Sequence, residues 1–319
     1  MSKFVKKTFA LLMVATLILG TLAGCGAQGS EEASGNKKIK IGVSIANFDD
    51  TFLTYMMDGM KAYAEKHSDQ IDIEFVDAKE DMAKQMNQVE NFIVQQKDAI
   101  IIVPVDTSAA GPMTEAVTKA GIKLVYVNRN PGNLPEGTYY VGSEEIVAGR
   151  LQMEYLAKAL DGKGNIAILM GKLDNEGAIK RTEGVEKVAS KYPDIKIVDK
   201  QTGEWQRSAG MKVTEDWLNR FGDDLDAIAS NNDDMALGAI QALQDAGRED
   251  VLVVGVDATP DGLAALEAGD LAATVFQDAA GQGGGAVEVA LKAVKGEEVK
   301  QETWIPFKLV TPENISEFK

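Results

Sequence analysis

Short runs of mostly apolar residues alternate along the chain with longer stretches in which apolar residues recur at helical spacing. This alternation begins at Ile39 and predicts strands that are separated by helices. As far as Val127, four predicted strands alternate with three predicted helices, and each connection is long enough to cross over to a parallel neighbour. Residues 99–105 are almost continuously apolar, as in a strand that is buried on both faces. The first part of the chain therefore predicts a doubly wound parallel sheet.

A second series of the same kind follows from residue 139 onward. It includes predicted strands at residues 166–170, 195–198, 227–229 and 251–256, each followed by a predicted helix. The two series agree in the order of their elements, although no residue-level repeat is visible. We therefore predict an α/β protein made of two lobes with a cleft between them.

Polar residues stand just after three of the predicted strands. Asn128 and Arg129 follow the strand that ends at Val127, Asn232 lies just after the strand at 227–229, and Asp257 follows the one at 251–256. In an open parallel sheet, a ligand binds outside the carboxyl ends of the strands. These positions therefore predict that the polar side chains point at a pocket.

The N-terminus has the pattern of a bacterial lipoprotein signal. Three lysines precede an apolar run at residues 9–19, which is too short to span a membrane comfortably, and Leu-Ala-Gly-Cys follows at residues 22–25. This last motif resembles the bacterial lipobox, which implies removal of residues 1–24 and attachment of diacylglycerol to Cys25. Residues 25–37 have no apolar periodicity and predict a flexible tether. We expect a protein anchored by lipid to the outer face of the cell membrane.

Composition excludes several classes of function. The chain has 319 residues and a formal net charge of −16 at pH 7, so its surface repels nucleic acids, and we expect no nucleic-acid partner. Cys25 is the only cysteine and His67 the only histidine, and no serine lies in a Gly-x-Ser-x-Gly motif. Catalysis by a nucleophile with a partner base is therefore not expected. We also expect neither a metal nor a cofactor.

Three ordered blocks carry a family resemblance: residues 232–239 (NDDMALGA), 253–262 (VVGVDATPDG) and 271–277 (LAATVFQ). With the lipobox, they make residues 38–310 similar to the ribose-type sugar-binding lipoproteins and periplasmic proteins of bacterial ABC importers. That family also includes galactose/glucose and inositol binders. The resemblance implies the type I periplasmic-binding-protein, or Venus-flytrap, fold: two doubly wound parallel-sheet lobes joined by a three-stranded hinge.

In this fold the chain crosses the hinge three times, and the resemblance implies crossings near Gly142, Gln277 and Phe307. The N-terminal lobe would then comprise residues 38–142 with 278–306. The C-terminal lobe would comprise residues 143–277 with 307–319.

The resemblance also implies a function. The chain would be a monomeric, non-enzymatic binding protein that carries a neutral monosaccharide or cyclitol, of the myo-inositol, ribose, galactose or glucose type, to the permease subunits of an ABC transporter. The alternative is a sensory protein that presents its ligand to a chemoreceptor or a kinase ectodomain. Both functions use the same closed form, so the sequence does not separate them. A repressor is excluded, because the chain begins with a signal pattern where DNA-reading helices would stand.

The ligand positions of the family map onto residues of this chain. The loop at residues 47–52 is longer and more acidic than in ribose binders and is similar to that of inositol-type binders. The residues that the resemblance assigns to ligand binding are Phe48, Asp49, Asp50, Phe52, Asn128, Arg129, Arg181, Trp205, Asn232, Asp257 and Gln277.

These residue types suit a polyol, because arginines donate, carboxylates accept and amides do both, while aromatic faces cover the C–H surface of a ring. Some of them also have structural interpretations. Phe52 lies on the apolar stripe of its helix, and Arg129 and Asp257 could form an ion pair across a loop. One of Asp49 and Asp50 is expected to be a solvated loop tip.

Overall fold

The computed structural model describes residues 38–319. The predicted signal peptide, the lipid site at Cys25 and the tether all lie outside the described residues. Residues 38–319 form two α/β lobes, each built on a parallel sheet with helices against it, which confirms the predicted fold class.

The first lobe contains a six-stranded sheet in which every neighbouring pair is parallel. Its strand order is β11-β5-β4-β3-β1-β2, so the sheet recruits one strand from near the C-terminus. The strands are β1 (Ile39–Ile45), β2 (Ile71–Asp77), β3 (Ala99–Ile102), β4 (Lys123–Val127), β5 (Thr138–Gly142) and β11 (Glu302–Trp304). The helices are α1 (Thr51–Lys66), α2 (Met82–Val94), α3 (Gly111–Lys119) and α9 (Ala279–Val294).

The second lobe contains a four-stranded parallel sheet of order β7-β6-β8-β9, and a short antiparallel pair of strands, β10 and β12, lies at its edge. The strands are β6 (Lys163–Met170), β7 (Asp194–Thr202), β8 (Ala227–Ser230), β9 (Leu252–Val254), β10 (Thr274–Phe276) and β12 (Lys308–Val310). The helices are α4 (Glu145–Ala159), α5 (Glu176–Ala189), α6 (Arg207–Phe221), α7 (Asp233–Asp245) and α8 (Pro260–Ala268), with 3-10 turns at Gly222–Asp224 and Ile315–Phe318.

Several helices begin with a polar residue that caps them. The side chains of Asp50, Asp81, Asn232, Thr259 and Asp278 each accept a hydrogen bond from a backbone N–H in the first turn of their helix. Such caps satisfy N–H groups that have no partner inside the helix. Because most of these caps follow a strand closely, the local sequence sets the strand-to-helix turns at the carboxyl edge of each sheet.

The apolar cores lie on both faces of both sheets. In the first lobe, α1 and α9 cover one face of the sheet, and a second cluster that includes Phe92 and Tyr126 covers the other. Both faces of the sheet are buried, which explains why its central strands are apolar at nearly every position.

Two details differ from the sequence prediction. The predicted strand at residues 99–105 leaves the sheet after Ile102, before Pro104, which has no N–H to donate to a neighbouring strand. The strands β11 and β12 were not predicted, because three residues are too few to show a periodicity. These two strands lie in different sheets, on either side of Phe307. The residue boundaries of the lobes stay a prediction.

Candidate functional site

A cavity lies between the two lobes, at the edge where the parallel strands of both sheets end. The space between its lining atoms amounts to about 410 Å³, a volume that includes solvent at its opening. Nine of the eleven predicted ligand residues lie in its wall. The lining residues are Asp50, Phe52, Leu53, Asn128, Arg129, Glu145, Asn175, Gly177, Arg181, Trp205, Asn232, Asp257 and Gln277.

The backbone at the cavity is strained in three places. Asn128, Trp205 and Asp257 have positive φ angles of 66°, 66° and 121°. Residues other than glycine adopt such angles only where the surrounding structure holds them, and these angles cluster at functional sites. All three residues come shortly after the carboxyl end of a strand. The strained backbone therefore lies at the edge of the sheets that faces the cleft.

On the first-lobe side, Asp50 and Arg129 form a loose pair. Asp50 Oδ1 accepts from Leu53 N at 3.0 Å as the helix cap, while its Oδ2 lies 3.8 Å from Arg129 Nη2. Arg129 donates through Nη1 to Pro104 O at 3.0 Å. Burial raises the pKa of Asp50, and the charge of Arg129 opposes this effect. Arg129 Nη2 also lies 3.9 Å from Glu80 Oε1, so Asp50 Oδ2 and Arg129 Nη2 make no hydrogen bond within residues 38–319.

On the second-lobe side, Arg181 is the centre of a buried polar network. Its Nε donates to Glu145 Oε2 at 2.6 Å, its Nη1 to Asn231 O at 2.6 Å and its Nη2 to Gln277 Oε1 at 2.8 Å. Because Gln277 Oε1 accepts from Arg181, Gln277 Nε2 is a buried donor, and it has no partner in the described structure. The predicted Arg181 thus orients Gln277.

Asp257 lies next to this network without joining it. Its Oδ1 is 3.8 Å from Arg181 Nη1, too far for a hydrogen bond, and its carboxylate accepts none from residues 38–319. The side chain is 4% exposed. Burial raises the pKa of Asp257 well above its ordinary value, and Arg181 opposes the shift. Asp257 therefore pairs with neither arginine by hydrogen bonding, and the alternative Arg129–Asp257 pair does not form.

Two aromatic residues face the cavity. Trp205 Nε1 donates to Asn175 Oδ1 at 2.9 Å, which fixes the orientation of the indole ring. Phe52 is 8% exposed and belongs both to the core of the first lobe and to the cavity wall. Phe52 is therefore a core residue, as its apolar stripe predicts, and its contact with a ligand stays a prediction.

Two of the predicted amide residues are largely committed to structure. Asn232 Oδ1 accepts from Met235 N at 3.0 Å as the cap of α7, and its Nδ2 donates to Trp205 O at 3.3 Å. Asn128 Nδ2 donates to Gln282 Oε1 at 3.2 Å, which leaves Asn128 Oδ1 available. Asn232 therefore shapes the cavity wall more than it offers hydrogen bonds to a ligand.

The structure does not bring Phe48 and Asp49 into the cavity. Phe48 N donates to Asp77 Oδ1 at 3.2 Å, and the Phe48 ring packs against the core of the first lobe. Asp49 N donates to Asn47 Oδ1 at 3.0 Å, and this local turn leaves Asp49 exposed at the mouth of the cleft. Asp49 is thus the solvated member of the Asp49–Asp50 pair.

Direct contacts join the lobes across the cleft. Thr107 N donates to Asp174 O at 3.3 Å, and Asn175 Nδ2 donates to Val105 O at 3.0 Å. Lys172 Nζ lies 2.6 Å from Glu80 Oε2. The lobes are therefore closed over the cavity.

Sequence reasoning missed Glu145 and Asn175. Glu145 is buried in the first turn of α4, and its partner Arg181 lies 36 residues further along the chain. Asn175 holds Trp205 through a contact that spans 30 residues. No local sequence motif marks such long-range partners, so only the structure identifies them.

The sequence pattern described as the periplasmic binding protein domain matches residues 41–298. The chain belongs to the periplasmic binding protein family. Members of this family are located outside the cytoplasm, where they bind substrates for transport, and they are not enzymes. This binding protein therefore acts by binding and releasing its substrate. Among residues 38–319, no helix has the length and apolar character that a membrane span requires.

Several known proteins are similar to this binding protein over most of its length. A Rhizobium meliloti protein named as a candidate rhizopine-binding protein is 47% identical over 88% of this chain and 92% of its own. The ribose import binding protein of Bacillus subtilis is 31% identical over 95% of this chain and 98% of its own. An ABC transporter solute-binding protein of Bacillus halodurans, crystallised with bound myo-inositol, is 46% identical, with a TM-score of 0.84 over 89% of this chain and 99% of that chain.

Proposed function

We propose that this protein binds a neutral cyclitol of the myo-inositol type in the cavity between its lobes and delivers it to the permease of an ABC importer. The observation that carries the proposal is a balanced set of polar atoms in the cavity wall that make no hydrogen bond within residues 38–319. Asp257 and Asp50 Oδ2 offer acceptors, and Arg129 Nη2 and Gln277 Nε2 offer donors.

A cyclitol satisfies such a set, because each ring hydroxyl donates one hydrogen bond and accepts others. A buried polar atom without a partner costs about 1–3 kcal/mol, so a ligand that pairs these atoms gains specificity as well as affinity. Phe52 and Trp205 supply apolar faces for the C–H surface of the ring. The acids in the wall leave no surplus of positive charge, which disfavours a phosphorylated ligand.

The relative with bound myo-inositol supports a cyclitol over a furanose sugar, since it shares 46% of its residues with this chain. The chain is less similar to the ribose import protein, at 31%. We infer that the ligand is a six-membered cyclitol and that the predicted residues in the cavity wall, with Glu145 and Asn175, bind or position it.

Closure provides the mechanism of delivery. A ligand that contacts both lobes binds the closed form more tightly than the open form and shifts the population toward closure. The permease would then recognise the closed protein. A sensory role uses the same motion, but relatives named for import and for ABC transport favour delivery to a permease.

We further infer that Cys25 carries the lipid anchor and that residues 25–37 tether the lobes to the membrane, with lobe boundaries as the sequence predicts. The assignment of β11 to the first sheet and β12 to the second supports those boundaries. Mass spectrometry of membrane-extracted protein tests the anchor. A Cys25→Ser variant that stays in the membrane fraction would refute it.

Calorimetric titration of the refolded full chain with myo-inositol, D-ribose, D-galactose and D-glucose tests the ligand. We expect one-to-one binding that is tightest for myo-inositol. Asp257→Asn should weaken it by roughly tenfold to a hundredfold, the range for a hydrogen bond to a charged group. Asp69→Asn, the same change at an exposed position, is the matched control. Tightest binding of ribose, or silence across the panel, would overturn the cyclitol proposal.

A further inference from the structure

Asp233 is a buried carboxylate that does not line the cavity, yet it lies directly behind the turn that carries Asp257. We propose that Asp233, acting through Thr274, is a positioning residue that holds the Asp257 turn in the geometry needed for ligand binding. This inference rests on the proposed role of Asp257 in the function above.

The hydrogen bonds of Asp233 enclose the turn. Asp233 Oδ2 accepts from Thr259 N at 2.9 Å, and Asp233 Oδ1 accepts from Thr274 Oγ1 at 2.6 Å. Thr274 Oγ1 in turn accepts from Ala258 N at 3.2 Å. One carboxylate therefore holds the backbone N–H groups of two consecutive residues, directly at Thr259 and through a hydroxyl at Ala258.

The turn needs such support because its backbone is strained. Asp257 has a φ angle of 121° and Ala258 one of 54°. Such backbone conformations are unfavourable for residues other than glycine and persist only where neighbouring groups determine them. Since the Asp257 carboxylate accepts no hydrogen bond from residues 38–319, the backbone turn sets the direction in which it points.

Packing around Asp233 shows that the space is reserved for its carboxylate. A Cβ atom added at Gly255 or at Gly262 would collide with the carboxylate oxygens of Asp233. These glycines flank the turn on both sides, and both belong to the block at residues 253–262. The glycines of this block therefore leave room for the Asp233 carboxylate, which supports the turn that positions Asp257.

A role in helix capping does not account for Asp233. The cap of α7 is Asn232, whose side chain accepts from Met235 N. An apolar residue would fill the same space at a lower desolvation cost, but it would leave the Ala258 and Thr259 N–H groups without this support. The carboxylate is thus explained by the turn and not by the helix.

A double-mutant cycle tests the inference in the full chain with myo-inositol as the probe. Thr274→Val removes the hydroxyl and keeps the shape, and we expect at least fivefold weaker binding. In an Asp257→Asn background, the same change should alter affinity by less than twofold, because the turn then no longer presents a carboxylate. Asp233→Asn should show the same dependence on Asp257.

Thr214→Val is the matched control. Thr214 is also 0% exposed, lies in the same lobe on α6, and donates to Gly210 O at 2.9 Å. This variant should lower the melting temperature and leave affinity within twofold of the parent protein. Equal effects of Thr274→Val with and without the Asp257 carboxylate would refute a positioning role and assign Asp233 to general stability.

A crystal structure of Thr274→Val supplies a second readout that does not depend on measurable affinity. We expect the φ angle of Asp257 to leave its present region and its carboxylate to move by more than 1 Å, on the order of the displacements that impair a preorganised site. An unchanged turn would overturn the inference. If Asp257→Asn alone left binding intact, the proposed binding site would fail instead.

Discussion

Glu176 provides a pH-dependent test of the closed structure. It lies in the first turn of α5, where its backbone N–H donates to Thr107 Oγ1 of the other lobe at 3.2 Å. Its Oε2 is buried and has no partner in the described structure. Burial, and then repulsion by Glu145, raise the pKa of Glu176 to about 8 from an ordinary value of 4.5, although Arg181 opposes the shift.

The difference in proton binding between the folded and unfolded protein sets the direction in which the free energy of unfolding changes with pH. Between pH 4.5 and about 8, the closed folded protein holds a proton on Glu176 that the unfolded chain has released. The free energy of unfolding therefore falls as pH rises through this window and levels off above it. A tenfold change in proton affinity corresponds to about 1.4 kcal/mol. The pKa shift of Glu176 can therefore change the free energy of unfolding by at most roughly 5 kcal/mol. Partial exposure of the side chain reduces the expected effect to about 2–3 kcal/mol.

Glu176→Gln removes the ionisable group at nearly constant volume. With saturating ligand, which keeps the lobes together, the variant should be about 2–3 kcal/mol more stable than the parent at pH 8.5 and equal to it at pH 4.5. Urea unfolding followed by circular dichroism at several pH values measures the difference. Glu115→Gln, the same change at an exposed position of α3, is the matched control. A constant difference across the whole range would refute the reasoning.

Two further perturbations test the cleft. Lys172→Ala removes the ion pair with Glu80 across the cleft, and affinity should fall about two- to fivefold in low salt and by less in 1 M NaCl, as titrations at both salt concentrations would show. Gly149→Ala places a Cβ atom against the Arg181 carbonyl oxygen and should cost about 2–4 kcal/mol of unfolding free energy in urea, with weaker ligand binding. Gly111→Ala, where a Cβ meets open space, is its control and should be neutral or slightly stabilising. A Lys172 effect that is independent of salt, or a neutral Gly149 variant, would contradict these assignments.

The order of strands and helices could be predicted from the sequence, because periodicity is a property of neighbouring residues. The four strands and three helices predicted as far as Val127 are β1 to β4 and α1 to α3 of the structure, in the same order. The same local pattern placed Asn128, Arg129 and Asp257 in the cavity, since residues just after parallel strands meet at one edge of a sheet.

Only the tertiary structure decided what each of these side chains does. Asn232 lies in the cavity wall as predicted, but its amide is used by Met235 and Trp205. Asp50 and Asp49 are adjacent in sequence, yet one caps a helix beside the cavity and the other faces solvent.

The partners that orient the site are distant in the chain. Glu145 meets Arg181 across 36 residues, and Asp233 meets Thr274 across 41. Hydrogen bonds act over about 3 Å, so their pairing depends on how whole elements pack. The sequence by itself therefore determined the elements and the edge at which ligands bind. The fold alone decided which donors and acceptors remain for the ligand, because partners so far apart in the chain meet only after the lobes have packed.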